Sequence, residues 1–237
     1  MSCTTKKEIL YFQNSSKSTF DSKILDQKIE PNDIISVKIN STNIEVSNIY
    51  NFDLIDGAAQ QISAIQLKNY LVNNEGNITL PVLGIIKVTD KSMNELEQFL
   101  SKKLIEEGHL KGPTVIVRIL NSKVTILGEV KMPGTYNFTE KNLTLLQAIG
   151  LAGDLTINGK REDIILIRQE NNIKTISHIN ITSTDWFESS NYYIKQNDVI
   201  VVNPNNAKIK SGGLIGNAST FIAIVSLLLT GLLLIKK

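Results

Sequence analysis

The chain has 237 residues, enough for one large domain or two small ones, and 42% of them are hydrophobic, so a buried core is expected. Its 25 Lys and Arg against 23 Asp and Glu leave a net charge of +2, too close to neutral for a phosphate-tracking nucleic-acid binder with its clustered basic face. Cys3 is the single cysteine, which excludes an intramolecular disulfide.

Cys3 stands before any core could begin, so packing is a weak explanation for it. Ser2-Cys3 followed by the polar run Thr4-Thr5-Lys6-Lys7 looks like the start of a mature bacterial lipoprotein. There the thiol carries a diacylglycerol and the amine a third acyl chain, and three chains anchor firmly where one binds only marginally. The apolar core of a signal peptide does not precede the cysteine in this sequence. Residues 1–25 are expected to be a tether, with Cys3 as its lipidation site.

The globular part runs from Asp26 to Pro204. Ile34 to Ile39 alternates around Ser36 and Lys38 and reads as a strand. Ile78 to Val88 holds a second strand region, interrupted at Pro81 and Gly84. Ser92-Met93-Asn94-Glu95 is a capping box that opens a helix with an apolar face of Met93, Leu96, Leu100 and Leu104, ended by Gly108. Thr114 to Leu120 and Lys123 to Val130 read as two strands joined by a tight turn at Asn121-Ser122. Pro133-Gly134 is expected to be a type II turn, in which the glycine takes a positive φ. Thr144-Leu145-Leu146-Gln147 is a second capping box, opening a short helix that stops at Gly150 or Gly153. Asp163 to Arg168 and Asp198 to Val202 are further strands. Strict β-α-β alternation does not appear, so the fold class is α+β and not a doubly wound nucleotide fold.

The C-terminal end carries the clearest local signal. No charged residue lies between Lys210 and Lys236, and Leu214 to Ile235 is mostly apolar. As a helix this stretch spans about 33 Å, enough to cross a hydrocarbon core of about 30 Å. A transmembrane helix is expected within residues 207–237. Gly212, Gly216, Ser219, Ala223, Ser226 and Thr230 follow at alternating steps of four and three, a seam opposite Leu214, Phe221, Ile224, Leu228 and Leu232. One reading makes these six residues helix-packing or pore-lining positions. The other makes them a scatter of the small residues common in membrane helices.

Residues that could carry chemistry are sparse. His109 and His178 stand alone in sequence, without a nearby cysteine or carboxylate at metal-ligand spacing. Neither a nucleophile elbow nor a phosphate-binding glycine loop occurs; Gly212-Gly213-Leu214-Ile215-Gly216 imitates one, but no lysine follows at the right offset. Glu95-Glu97 and Glu106-Glu107 read as solvated helix faces. Trp186, Tyr192 and Tyr193 could stack on sugars, although a lone tryptophan more often belongs to a core. No enzyme, metal site or cofactor is expected.

The order of these pieces resembles the polysaccharide export outer-membrane family, the Wza-like proteins. Ile29-Glu30-Pro31-Asn32-Asp33-Ile34 matches the family's opening Pro-x-Asp turn and strand. Glu75 to Gly84 matches its "dG-I-LP-LG" segment, and Pro113 to Val117 follows the helix from Ser92 in family order. The most specific stretch is Val124-Thr125-Ile126-Leu127-Gly128-Glu129-Val130-Lys131-Met132-Pro133-Gly134-Thr135-Tyr136, similar to the entry of a soluble-ligand-binding β-grasp (SLBB) domain. Leu145 to Gly153 resembles its "LL-A-I-x-x-AGG" helix, with Asp154 where the second glycine usually stands. Asp163 to Arg168 resembles its "V-x-L-I-R" strand. Ile194 to Val201 resembles its closing "L-x-x-G-D-V-I-x-V", with Asn197 for the glycine; asparagine also tolerates the left-handed region. These motifs are structural: Gly84, Gly128, Gly134 and Gly153 suit bends or close backbone approaches, and Pro81 and Pro133 fix turns.

The resemblance implies a tether at 1–25, a polysaccharide export domain at 26–120, an SLBB domain at 121–206 and the transmembrane helix at 207–237. It implies a passive outer-membrane export channel for capsule or exopolysaccharide, with its globular domains in the periplasm. The expected assembly is a homo-oligomeric ring, octameric in the best-known member, with an α-helical pore. Expected partners are an inner-membrane polysaccharide co-polymerase, often a tyrosine autokinase, and the polysaccharide itself. The segment from Pro204 to Gly212 leaves no room for a second β-grasp domain, so the short form is expected. The alternative is a periplasmic carbohydrate-binding or sensory module tethered to the inner membrane.

Overall fold

The computed structural model describes residues 9–13, 19–21, 26–51, 69–170, 173–211, 222 and 225–227. It divides into two compact units. One comprises Ile24–Lys123 and Asn137–Leu143; the other comprises Met1–Lys23, Val124–Tyr136 and Thr144–Lys237.

The first unit holds a sheet of three strands, β1 (Ile34–Asn40), β2 (Tyr70–Leu71) and β5 (Thr114–Ile119), in the order β2-β1-β5, and a hairpin of β3 (Asn77–Leu80) and β4 (Gly84–Lys87). β1 runs antiparallel to β5, with Val37 opposite Val117. A short helix α1 (Ile44–Asn48) follows β1, and a long one, α2 (Met93–Glu106), precedes β5. Ser92 is the N-cap of α2 as expected: its hydroxyl accepts from the Glu95 amide, and Glu95 reaches back to the Ser92 amide. Each such cap contributes about 1 kcal/mol. The apolar face of α2 is buried through Met93, Leu96, Leu100 and Leu104. It packs in one core with Ile35, Ile39, Val72, Leu80 and Val117. Each fully buried aliphatic side chain there stabilises the unit by about 1.5–3 kcal/mol. Gly108 stops the helix with φ +73°.

α2 also closes one sheet edge. The Glu97 carboxylate accepts from the Val117 amide at 2.8 Å, and the Ser101 hydroxyl donates to the Pro113 carbonyl at 3.2 Å. These side chains satisfy main-chain groups on the outer strand, which would otherwise recruit a foreign strand.

The second unit is built on a five-stranded sheet: β6 (Lys123–Gly128), β7 (Gly134–Asn137), β8 (Gly159–Glu170), β9 (Ile173–Ile179) and β10 (Val199–Pro204), in the order β7-β6-β10-β8-β9. β10 lies parallel to β6 and antiparallel to β8. Helix α3 (Leu145–Leu151) carries the expected second capping box, Thr144 with Gln147. A 3-10 turn spans Asp185–Glu188, and α4 (Asn206–Ser211) follows β10. Val124, Ile126, Leu145, Ile164, Leu166, Ile181, Ile200 and Val202 are buried.

The two strands expected on either side of Asn121-Ser122 are present, and they pair apart: β5 with β1, and β6 in the other sheet; one expectation nearby is corrected. Asn121 explains the change of direction, because its side chain accepts from the Ile34 amide and donates to the Asn32 carbonyl, fastening the chain to the start of β1. Gly134 does not take a positive φ, so Pro133-Gly134 is not the type II turn expected. Gly128 is the glycine that conformation requires. Its φ is +90°, and a β-carbon there would stand 2.0 Å from the Val202 carbonyl oxygen of the adjacent strand. Asn197 does enter the left-handed region, at φ 62°.

No helix among the described residues is long and apolar enough to cross a membrane. The expected transmembrane helix lies largely outside the described residues; Ile222 and Val225–Leu227 within it are helical.

Candidate functional site

Three polar arrangements stand out, all within the five-stranded unit. The first is buried. Arg168 ends the apolar run of β8, and Asp198 immediately precedes β10, so both charges enter the interior beside the paired strands. The guanidinium donates to both Asp198 oxygens, at 3.0 Å from Nε and 2.7 Å from Nη2. Its remaining donors reach the Ser190 and Tyr193 carbonyls, and the Lys195 amide donates to Asp198. Desolvation pushes the Asp198 carboxyl above its ordinary value, and Arg168 opposes it. These bonds tie the pair to the loop 190–195, which it fixes against the paired strands.

The second is the seat of the N-terminal strap, residues 9–13 and 19–21, which lie in the segment read as a tether. The Tyr11 hydroxyl donates to Asp154, and the ring lies 5.5 Å from the Arg161 guanidinium carbon. Asp154 sits at φ +76° where the β-grasp pattern has glycine, and its carboxylate also accepts from the Leu155 amide. Arg161 is buried; Nη1 donates to the Thr156 and Gly159 carbonyls, while Nε has no hydrogen-bond partner. Burial first, then the bond to Asp154, pushes the Tyr11 phenol up to about 12. Backbone bonds from Phe12 to the Ile181 carbonyl and from Gln13 to the Thr182 carbonyl hold the strap further. Phe12 and Phe20 set their rings edge-on to Phe187, at 5.4 and 5.0 Å.

The third is on the surface. His178 on β9 meets Asp163 on β8 at 2.6 Å, and Lys160 reaches the same carboxylate at 3.1 Å. Both hydrogen bonds hold the Asp163 carboxyl below its usual range. In the three-stranded unit, His109 lies 3.3 Å from Glu107 and 3.0 Å from the Tyr50 hydroxyl. The two histidines that read as isolated in sequence therefore each have a carboxylate partner. Cross-strand pairing creates one of these contacts, and the turn after α2 creates the other. No group of three His, Cys, Asp or Glu side chains among the described residues could hold a metal.

The remaining candidates fall as follows. Trp186 is buried, its indole N–H donating to the Ser183 carbonyl, and its ring packs on Phe187 and Tyr192. That is a core position, unsuited to stacking on a sugar. Tyr192 and Tyr193 are half-buried and meet edge-on at 4.9 Å. Glu95 belongs to the cap of α2 and Glu97 to the closed sheet edge, so neither is simply a solvated face. Cys3, Gly212, Gly216, Ser219, Ala223 and Thr230 lie outside the described residues. Ser226 lies in the helical stretch Val225–Leu227 and is exposed. A shallow groove of about 530 Å³ runs between α2 and β5, lined by Glu97, Ser101, Lys102, Ile105 and Val115. Sequence reading missed Tyr11, Asp154, Arg161 and the Arg168–Asp198 pair as partners. The available signal was a charged residue at the end of each of two apolar strands.

The built features of this geometry hold segments of chain together. Residues 23–120 match the family model described as polysaccharide biosynthesis/export protein, and residues 123–175 match the SLBB domain. The chain is 34% identical over 109 residues to the EPS I polysaccharide export outer membrane protein EpsA of Ralstonia nicotianae, covering 44% of this chain and 28% of that one. It is 31% identical over 91 residues to the protein of the same name from Ralstonia solanacearum, covering 37% and 24%. It is 31% identical over 110 residues to the exopolysaccharide production protein ExoF of Rhizobium meliloti, covering 45% and 26%. The matches thus span about a quarter of the length of these relatives.

Proposed function

Because the chain joins a polysaccharide biosynthesis/export domain to an SLBB domain and so belongs to the polysaccharide export family, we propose that it is a subunit of an outer-membrane channel for capsule or exopolysaccharide. The observation that carries this reading is the succession of the two family domains at 23–120 and 123–175 in one chain. In this reading the subunits form a homo-oligomeric ring, Cys3 is lipidated, and the C-terminal helices form an α-helical pore. The seam of Gly212, Gly216, Ser219, Ala223, Ser226 and Thr230 then faces neighbouring helices or the lumen. The globular units stand in the periplasm and meet an inner-membrane co-polymerase, and the channel itself is passive.

One observation favours a second reading. Lys236-Lys237 follow the apolar stretch directly, and positive flanks favour the cytoplasmic side of an inner membrane. A module tethered there would bind or sense polysaccharide without conducting it. An epitope placed after Lys237 separates the two. Binding of antibody to intact cells is expected for the channel; exposure only after the inner membrane is breached would replace the channel with the tethered module.

A further inference from the structure

The strap is held in its seat, yet it does not satisfy the seat. Phe12 takes φ 52°, in the left-handed region that an aromatic residue rarely enters. Arg161 is 5% exposed and stands against the Tyr11 ring with its Nε unpartnered. A strained residue and a buried donor without a partner both cost stability. Lifting the strap releases the first and opens the Tyr11 side of the second.

The contacts of the strap also describe what else the seat accepts. Asp154 and the main-chain carbonyls of Ile181 and Thr182 are acceptors, taken by the Tyr11 hydroxyl and by the Phe12 and Gln13 amides. Arg161 Nε is a spare donor. Phe187, on which Phe12 and Phe20 pack, supplies an aromatic wall. Several acceptors, a spare donor and a ring suit a polyhydroxylated ring. Its hydroxyls donate to the acceptors, one of its oxygens accepts from Nε, and its C–H groups rest on the aromatic ring. An anionic ligand would meet the Asp154 carboxylate, and a peptide without a side-chain hydroxyl would leave that carboxylate unserved.

We propose that the seat is a saccharide-binding site and that the strap occupies it in the ligand's place, the Tyr11 phenol standing for a sugar hydroxyl. Saccharide and strap then exclude each other, so polymer in the seat frees the strap. The class of ligand rests on the polysaccharide reading above; the site rests on the seat alone.

The test uses the full chain in detergent. The probe is size-fractionated oligosaccharides from partial acid hydrolysis of the extracellular polysaccharide of cells that make the protein. Titration calorimetry compares wild type, a strap variant with Tyr11→Ala and Phe12→Ala, and the strap variant with Phe187→Ala added. The strap variant is expected to bind about tenfold more tightly than wild type, as it does when the strap leaves the seat open about a tenth of the time. Phe187→Ala is expected to remove most of that gain, and a synthetic peptide of residues 8–21 to displace the oligosaccharides. Circular dichroism and melting verify the fold. If the double variant unfolds, Phe20→Ala loosens the strap at its other end and carries the same expectation. Absence of binding in the loosened chain overturns the site. So does equal affinity in loosened and wild-type chains, or binding that the peptide does not displace, because the sugar then sits elsewhere. A peptide that binds where no oligosaccharide does also overturns it and makes the seat a receptor for the strap alone. The epitope after Lys237 is indifferent to all these outcomes, so the channel reading is judged apart from this one.

Discussion

At Gly128 the backbone takes a left-handed conformation while its α-carbon faces the carbonyl of Val202 on the parallel strand β10. A methyl group there meets main chain, which cannot rotate away. Gly128→Ala should therefore lose about 2–5 kcal/mol, the sum of an unfavourable φ and an overpacked contact. At Gly134 the nearest atoms to such a methyl group are 3.8 Å away on the Tyr136 ring, in ordinary contact, so Gly134→Ala should stay within about 1 kcal/mol of wild type. Urea unfolding of both variants checks the contrast, and equal losses would count against it. The same logic of single groups applies to Arg168 and Asp198. Asp198→Asn leaves a buried guanidinium without its counter-charge and should cost about 3–5 kcal/mol, read as a lowered melting temperature. A melting temperature within a degree or two of wild type would show that the ion pair is dispensable.

Elements whose cause is local were legible before any coordinates. Both capping boxes pair residues three apart, and the apolar face of α2 repeats at helical spacing, so each signal sits within a few residues of its effect. The strands around Asn121-Ser122 show the limit. Each was visible as an apolar alternation, but whether two neighbouring strands pair is decided by distant partners: β1 for one, β10 for the other. β9 escaped notice for a different reason. Its sequence, IKTISHI, shows no clean alternation because both of its faces are wet, so there is no buried face to write a period of two. The polar partnerships were the least legible part of the site. Arg168 and Asp198 lie 30 residues apart, and Tyr11 and Asp154 lie 143 apart. Asp154 did signal itself, as a departure from a glycine pattern, and Tyr11 now accounts for it: the carboxylate that takes an unfavourable φ is the one that receives the strap.

Across the molecule, the strap makes the first residues of the chain part of a unit whose remainder begins at Val124. The Tyr11 phenol titrates as a report on that attachment. Its folded value is raised to about 12 from 10.0, so the strap's contribution is complete below pH 10 and is lost as pH rises through 12. An ultraviolet titration should show a late-ionising tyrosine that disappears in Tyr11→Phe. Tyr70 also shifts upward through burial, so the difference between the two proteins is the measure. If the difference curve titrates near the ordinary value, the strap is not seated through Tyr11. The connectivity also sets a schedule. The Asp21 amide bonds to Glu188, a residue 167 positions later. At a synthesis rate of about 5–20 residues per second, the strap waits about 10–30 s for its seat to exist. A segment made early is therefore fixed late. Throughout that interval Phe12 and Phe20 wait for Phe187 and are open to a wrong contact, including the completed seat of a neighbouring chain.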